Sequence, residues 1–497
     1  MARMREAVLR RELAGMLQER DALNGEIAAM RADVAGLETD LADQSAEVEK
    51  LRSDVAQRDM VIAALYASRS WRLAAPARGI STLLRRPLAR PGERRPEVLL
   101  LPAPAPAFEC RAAAEAVPQA RGRGTLLVAA DMLPLFDQSS GGLRLKTLMG
   151  MMGDAGWSMV FGSMLDNDHQ PGLLANPEQR RRYEAALRGI GVTRFIYGLA
   201  EIGSFLSKSG RDLAWAFLSF PAVAVELLPL VRSYCPTTRV AYDMVDFHGL
   251  RMAREGELRD DQRMMAAAEQ QRAVEIACAR AADVTIAVTE EERATLQEMV
   301  PDVVVEVLPN AFEVLPHSPP SLAGREGLFF VGGFWHTPNG DAMHWFVDRV
   351  WPLIREEAPS TILRIAGANP DVVVLALGAR PGVEVLGFVP DLTQLYAQHR
   401  VFVAPMRFGA GMKGKVGQSL MHGLPVVATL VGAEGMGLQD GVHLLVADQE
   451  QEFAAQVLRL LRDDGLWFRL ATQGRKHIER TLSVDAVRVR LEAVLGG

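Results

Sequence analysis

"VFVAPMRFGAGMKGKVGQSLMHGLPVVAT", residues Val401 to Thr429, changes character twice within one short stretch. It opens on a continuous apolar run, the pattern of a strand buried on both faces. From Arg407 to Gly417 it then holds four glycines, one arginine and two lysines. "KGKVGQSLMHG" reads as a helix, and "PVVAT" as the next strand. Gly409, Gly411 and Gly414 let backbone N–H groups approach a ligand, while the helix N-terminus adds partial positive charge. With Arg407, Lys413 and Lys415 adding full charges, the loop is suited to a phosphate or diphosphate. Gln418 and Ser419 fall one turn beyond Lys415, and His422 a further turn along, in reach of sugar hydroxyls. The loop is not GxxxxGK[ST], and no GxGxxG follows the first strand of either half, which argues against a nucleoside triphosphatase or a dehydrogenase.

Working outward, the strand runs "LFFVG", "TILRIAG", "VEVLGFV" and "HLLVA" alternate with the helix pattern "NGDAMHWFVDRVWPLIREE". In that helix Asn339 is placed as the cap, ahead of the apolar stripe Met343, Phe346, Val347, Val350 and Ile354. The first half repeats the rhythm with "TLLVAAD", "TRFIYG", "AWAFLS", "TRVAYDMVD" and "ADVTIAVT". Such alternation predicts an α/β chain of two doubly wound parallel sheets, 124–315 and 316–497, with ligands in the cleft at the strands' carboxyl ends.

Ahead of these halves, apolar residues recur in heptads from Leu9 to Leu65, which predicts a long coiled-coil helix over 1–68 and a homo-oligomer. Arg20, Gln44 and Arg58 interrupt the seam and leave parallel dimer and trimer both open. Residues 69–123 hold a stretch with eight arginines from Arg69 to Arg95, interleaved with Trp71, Ile80 and Leu84, followed by a Pro/Ala-rich spacer. The basic stretch reads either as a contact with an anionic membrane surface or as a solvated linker. The 497-residue chain is 49% hydrophobic with a net charge of −6, so nothing draws it as a whole to nucleic acid. Three scattered cysteines and no long apolar run fit a cytoplasmic protein, peripheral on the inner face of the membrane if it meets one.

The block around "RFGAGMKGKVGQSLMHGLPVVAT", with "LFFVGGFWHTPNGDAMHWFV" and "VEVLGFVPDLTQLY" before it, resembles the donor domain of glycosyltransferase family 4, the group 1 glycosyltransferases. "SSGGLRLKTLMGMMGDAGW" and "YDMVDFHGLR" resemble first-domain segments of the same family. The resemblance implies the GT-B fold, two Rossmann-like domains flanking a cleft. It also implies a metal-independent, cofactor-free transferase that moves a sugar from a nucleotide diphosphate-sugar with retention. The acceptor would be a surface-polysaccharide or lipid-linked glycan. It assigns donor contacts to Gly141, Gly142, Arg144, Val389, Arg407, Gly411, Lys413, Lys415 and Gln418. Asp246 is placed to receive the acceptor's proton and His248 to orient a sugar, or else the two cap and pack locally.

Four positions depart from the family pattern: Ala410 and Gln418 stand where relatives often carry glutamates, and Gly333 and Asn339 where many carry an arginine and a lysine, which leaves phosphate charge to Arg407, Lys413 and Lys415. They keep open a catalytically degenerate coiled-coil scaffold, and a nucleotide-sugar epimerase of the same fold is a third reading. The Asp-x-Asp at Asp166 and Asp168 is read as a polar loop rather than a metal site, and His336 as a weaker ligand candidate.

Overall fold

The computed structural model describes residues 122–315 and 321–496. The heptad segment, the arginine-rich stretch and the spacer lie outside the described residues. The predicted apolar runs form two parallel sheets. The first contains β1 (Gly124–Ala130), β2 (Trp157–Ser163), β3 (Val192–Tyr197), β4 (Leu213–Ser219), β5 (Arg239–Asp243), β6 (Val284–Ala287) and β7 (Val305–Val307). Their order is β3-β2-β1-β4-β5-β6-β7. The second contains β8 (Leu328–Val331), β9 (Leu363–Ala366), β10 (Val383–Gly387), β11 (Val401–Ala404), β12 (Val426–Ala428) and β13 (Leu445–Val446), ordered β10-β9-β8-β11-β12-β13.

The reason for continuous apolar strands is visible in β1. Leu126 and Val128 face one core with Leu145, Leu148 and Met152, while Leu127 and Ala129 face the other with Ile202 and Leu227. Helices cover both faces, so neither parity of residue is spared. In each sheet the strand order reverses once, between β1 and β4 and between β8 and β11. These reversals are where open α/β sheets leave a crevice at the strands' carboxyl ends. The glycine-rich loop leaves β11 and therefore stands at the reversal of the second sheet.

Two expectations need correction. The predicted helix 339–357 starts at Thr337, widens into a π turn over Phe346–Val350 and resumes as Trp351–Glu357. Pro352 lies just beyond the wide turn and cannot supply the N–H that a regular helix needs there. The apolar stripe itself is buried as expected. The boundary at 316 also misplaces the last helix, Val484–Gly496. Its Val487, Leu491, Val494 and Leu495 complete the core of the first sheet, and Arg488 pairs with Asp154 at 3.0 Å.

The chain thus crosses between the halves twice, and the crossings are tied. Phe312 N–H donates to the Leu482 carbonyl at 2.8 Å, and Val484 N–H to the Phe312 carbonyl at 3.1 Å. The Phe312 ring sits so close to Gly417 that a Cβ there would lie 2.2 Å from it. A side chain at position 417 would push the crossing away from the Gly414–Met421 helix.

Candidate functional site

On the second half, the loop from Arg407 to Lys413 is shaped by left-handed backbone at Gly411, φ +64°. A Cβ at Gly411 would come 3.1 Å from Asp246 Cβ of the first half, so glycine here permits the two halves to close on each other. The helix Gly414–Met421 follows at once, its start meeting Ser140 and Asn310 of the first half.

The three cations of the loop have different fates. Arg407 forks onto both carboxylate oxygens of Asp341. Lys413 is 7% exposed and folds back, donating to the Gly411 carbonyl at 2.9 Å and the Ala410 carbonyl at 3.3 Å, with Glu434 Oε2 at 3.3 Å. Lys415 has no carboxylate within ion-pair distance among the described residues. Its Nζ donates to Asn339 Oδ1, lies 4.4 Å from the centre of the Phe330 ring and has Met406 Sδ at 3.9 Å. Burial, reinforced by the charge of Lys413, pushes its pKa down to about 7. A partly buried ammonium without a counter-ion is a costly arrangement unless an anion completes it.

Asn339 therefore does something other than cap. His336 stands at the cap position, without a side-chain bond, and Asn339 is inside the helix Thr337–Trp345. Its Nδ2 donates to the Gly333 carbonyl at 2.7 Å while its Oδ1 accepts from Lys415. A Cβ at Gly332 would lie 2.7 Å from the Asn339 side chain, so that glycine makes room for the grip. His336 itself makes no side-chain hydrogen bond among the described residues. Burial and then the Arg251 charge hold it near pKa 4, hence neutral.

Across the cleft, Asp246 and His248 open the helix His248–Arg259. Asp246 accepts from Arg251 Nε at 2.9 Å and lies 3.0 Å from His248 Nδ1. Burial opposes its charge, but His248 and Arg251 outweigh burial and hold the carboxyl well below the usual range. Burial also opposes the His248 charge, yet Asp246 and Glu275 raise it to about 10. Glu275 secures the turn by accepting the N–H groups of His248 and Gly249 at 2.8 and 2.9 Å. The pair is an ionised couple at neutral pH, and a carboxylate held by two cations is a weak proton acceptor. The turn is strained: Val245, β-branched, adopts φ +66°. Gly141 lies under it, 3.7 Å from Val245 Cγ1 as measured from the Cβ position.

Arg144 is not in the cleft. It is 3% exposed, with Nη1 on Asp243 Oδ2 and Nη2 on the Leu308 carbonyl, both at 2.8 Å. A donor phosphate would have to displace these internal partners. Gly142 serves packing, since a Cβ there would meet the Leu135 backbone at 2.8 Å. Ser419 is turned inward onto the Leu424 carbonyl at 2.9 Å, out of reach of a sugar in the cleft. Gln418 and His422 do share a face, their side-chain nitrogens 3.4 Å apart, with the His422 ring stacked on Tyr396. Val389, beyond β10, packs half-buried on the core that holds Val416 and Leu420. Asp166 is spent as a cap, accepting from Asp168 and His169 N–H groups.

Sequence reasoning missed four residues. Glu434 accepts both arms of the Arg254 guanidinium at 2.8 Å, and Arg254 also reaches the Gly409 carbonyl at 2.6 Å. Together with Lys413 this makes a clasp between the halves on the loop itself. Arg251 presents a second cation to the cleft from the same helix. Glu292, buried beside Asp246, accepts from Phe247 N–H at 2.9 Å and is pushed up to about 7, by burial first and the Asp246 charge second. Two arginines three residues apart, after "DFHG", are the only sequence signal for any of them.

Comparison with known proteins bears on this geometry. Residues 325–463 match the family described as glycosyl transferases, group 1. A 139-residue stretch is 27% identical to an uncharacterized 44.6 kDa protein in the cps region of Klebsiella pneumoniae, covering 26% of this chain. That stretch spans about a third of the relative, 36% of its length. Among solved structures, the sucrose-phosphate synthase of Thermosynechococcus elongatus superposes with a TM-score of 0.57 at 16% identity, over 75% of this chain and 98% of that one. HepE of Anabaena, solved with UDP and glucose, gives 0.55 at 14%, over 75% and 99%. TarM gives 0.59 at 9%, over 76% and 99%. These structural likenesses establish the two-domain fold. No helix among the described residues is long and apolar enough to cross a membrane.

Proposed function

We propose that this chain, whose second half carries the group 1 glycosyltransferase segment, moves a sugar from a nucleotide diphosphate-sugar to a glycan acceptor. The observation that carries the reading is Lys415, a cation without a counter-ion among the described residues, at the first turn of the Gly414–Met421 helix, where the second sheet reverses its strand order. A diphosphate supplies the missing charge. HepE of Anabaena holds UDP and glucose, which supports a UDP-sugar as donor. The cps-region relative supports a surface polysaccharide as product. Retention, independence from metal, a lipid-linked acceptor and association through the N-terminal heptads belong to the same proposal.

In this reading the leaving diphosphate gathers charge as the glycosidic bond breaks. Lys415 Nζ, fixed by Asn339 and Phe330, stabilises that state more than the bound donor. Gln418 faces the ribose, and the His248 cation holds a sugar oxygen from the other side. Ala410 and Gln418 favour a second reading, a scaffold that binds donor without turning it over.

Calorimetry against a panel of nucleotide-sugars, followed by nucleoside diphosphate release in the presence of membrane extract, separates the two. Lys415→Met should weaken binding and remove about 2 to 4 kcal/mol of transition-state stabilisation. Unchanged affinity and turnover in that variant would refute the placement of the donor, and binding without any turnover would leave the scaffold.

A further inference from the structure

Three successive carbonyls of the glycine-rich loop are turned toward two cations. Arg254 Nη1 donates to the Gly409 carbonyl at 2.6 Å, and Lys413 Nζ to the Ala410 and Gly411 carbonyls at 3.3 and 2.9 Å. One carboxylate fixes both cations: Glu434 accepts from Arg254 through both oxygens at 2.8 Å and from Lys413 at 3.3 Å. Every peptide bond among the described residues is trans, so each N–H points away from the carbonyl of its own peptide unit. The N–H groups of Ala410, Gly411 and Met412 are therefore turned away from the cations as a set. None of the three has a hydrogen-bond partner among the described residues. Gly411 and Met412 are buried, and buried N–H groups are rarely left without an acceptor.

Arg254 belongs to the first half, on the helix His248–Arg259, whereas the loop and Glu434 belong to the second. Asp246, just ahead of the same helix, lies 3.1 Å from the Cβ position of Gly411. The first half thus meets the loop at both ends of the carbonyl row. Resting on the donor-site reading, we propose that Arg254 is a positioning residue: by holding the Gly409 carbonyl while Glu434 holds its fork, it keeps the peptide units between Gly409 and Met412 aligned so that their three N–H groups face oxygen atoms of the donor. Lys413 cannot do this alone, because it is part of the loop and moves with it. Arg254 stands on a separate helix, and its guanidinium can serve a carboxylate and a carbonyl together. The Gly409 contact exists only while the two halves are together, so the donor loop takes its working shape from the opposite half. Donor binding and closure then strengthen each other by the same factor.

The test uses the full chain with UDP, UDP-glucose, GDP and GDP-mannose as probes. Calorimetry finds which of them the wild type binds, and amide hydrogen exchange read by mass spectrometry follows the peptide carrying Gly409 to Lys413 at saturating probe. Bound probe should slow exchange of that peptide in the wild type about tenfold or more. Protection by the sugar-bearing form alone would put sugar oxygens at the N–H row, and protection by the nucleoside diphosphate as well would put phosphate oxygens there; both uphold the proposal. In Arg254→Met, affinity should fall about tenfold or more and the protection should be lost even at saturation. Arg254→Lys keeps a cation for Glu434 but has no fork with which to hold the carbonyl as well, so it should recover thermal stability without recovering the protection. Wild-type protection in either variant, or affinity that recovers in step with stability in Arg254→Lys, would reduce Arg254 to a strut between the halves and overturn the proposal. An unprotected loop in the wild type with probe bound would overturn it too. If none of the probes binds the wild type, the donor-site reading itself falls and takes this inference with it.

Discussion

Arg144→Met separates a structural cation from a ligand-binding one. The Arg144 and Asp243 side chains are 2% and 0% exposed, and their contact is 2.8 Å. Removing the guanidinium leaves Asp243 Oδ2 with only Ser219 Oγ, at 3.1 Å, and leaves the Leu308 carbonyl without this donor. Asp243 Oδ1 already has no hydrogen-bond partner among the described residues. An unpaired buried carboxylate of this kind costs about 3 to 5 kcal/mol. At about 2 to 4 °C per kcal/mol for a unit of this size, the thermal midpoint of the first half should fall by about 6 to 20 °C. Arg144→Met/Asp243→Leu removes both charges and should recover part of the loss. Urea and thermal unfolding measure the stability, and UDP calorimetry on the folded fraction measures the site. A loss under about 1 kcal/mol together with weakened UDP binding would refute the reasoning and return Arg144 to the donor contacts.

Three further outcomes are expected. Glu434→Gln breaks the clasp of Arg254, Lys413 and the Gly409 carbonyl; its ion-paired groups are partly exposed, so about 1 to 3 kcal/mol is lost, and small-angle scattering should report a wider separation of the halves. Gly417→Val drives a side chain into the Phe312 ring and should cost about 1 to 3 kcal/mol by overpacking, a loss that Phe312→Ala in the same chain reduces, as urea unfolding would show. Glu292 keeps its proton up to about pH 7 when folded, against about 4.5 when free. The folded state therefore binds more protons across that window, and stability should fall by on the order of 3 kcal/mol as pH rises through it. Unfolding of Glu292→Gln at pH 5 and pH 7.5 should lack that slope.

Much of the fold is legible because parallel strands covered on both faces leave a local trace, as in "TLLVAAD" and "VFVAPM". The charged glycine loop is legible for the same reason: its composition serves a local geometry. The fates of its charges are not. Arg144 meets Asp243 from 99 positions away, and Glu434 meets Arg254 from 180. No periodicity marks such partners, since each is a single residue whose neighbours' pattern is set by packing against the core. Asn339 shows the limit at short range: residue type and the following apolar stripe suit a cap, but the helix starts two residues earlier and its amide is drawn to Gly333 and Lys415.

The return of the Val484–Gly496 helix to the first sheet has a consequence for biogenesis. During synthesis the first half emerges with Leu148, Met152 and Trp157 lacking the apolar cover that Leu491 and Val494 later provide. It cannot reach its final packing until the whole second half has been made and has brought that helix back across Ser483. The two halves, separate as architectures, are thereby a single unit of maturation, and a chain interrupted after the second sheet would display an unfinished first one to chaperones and proteases.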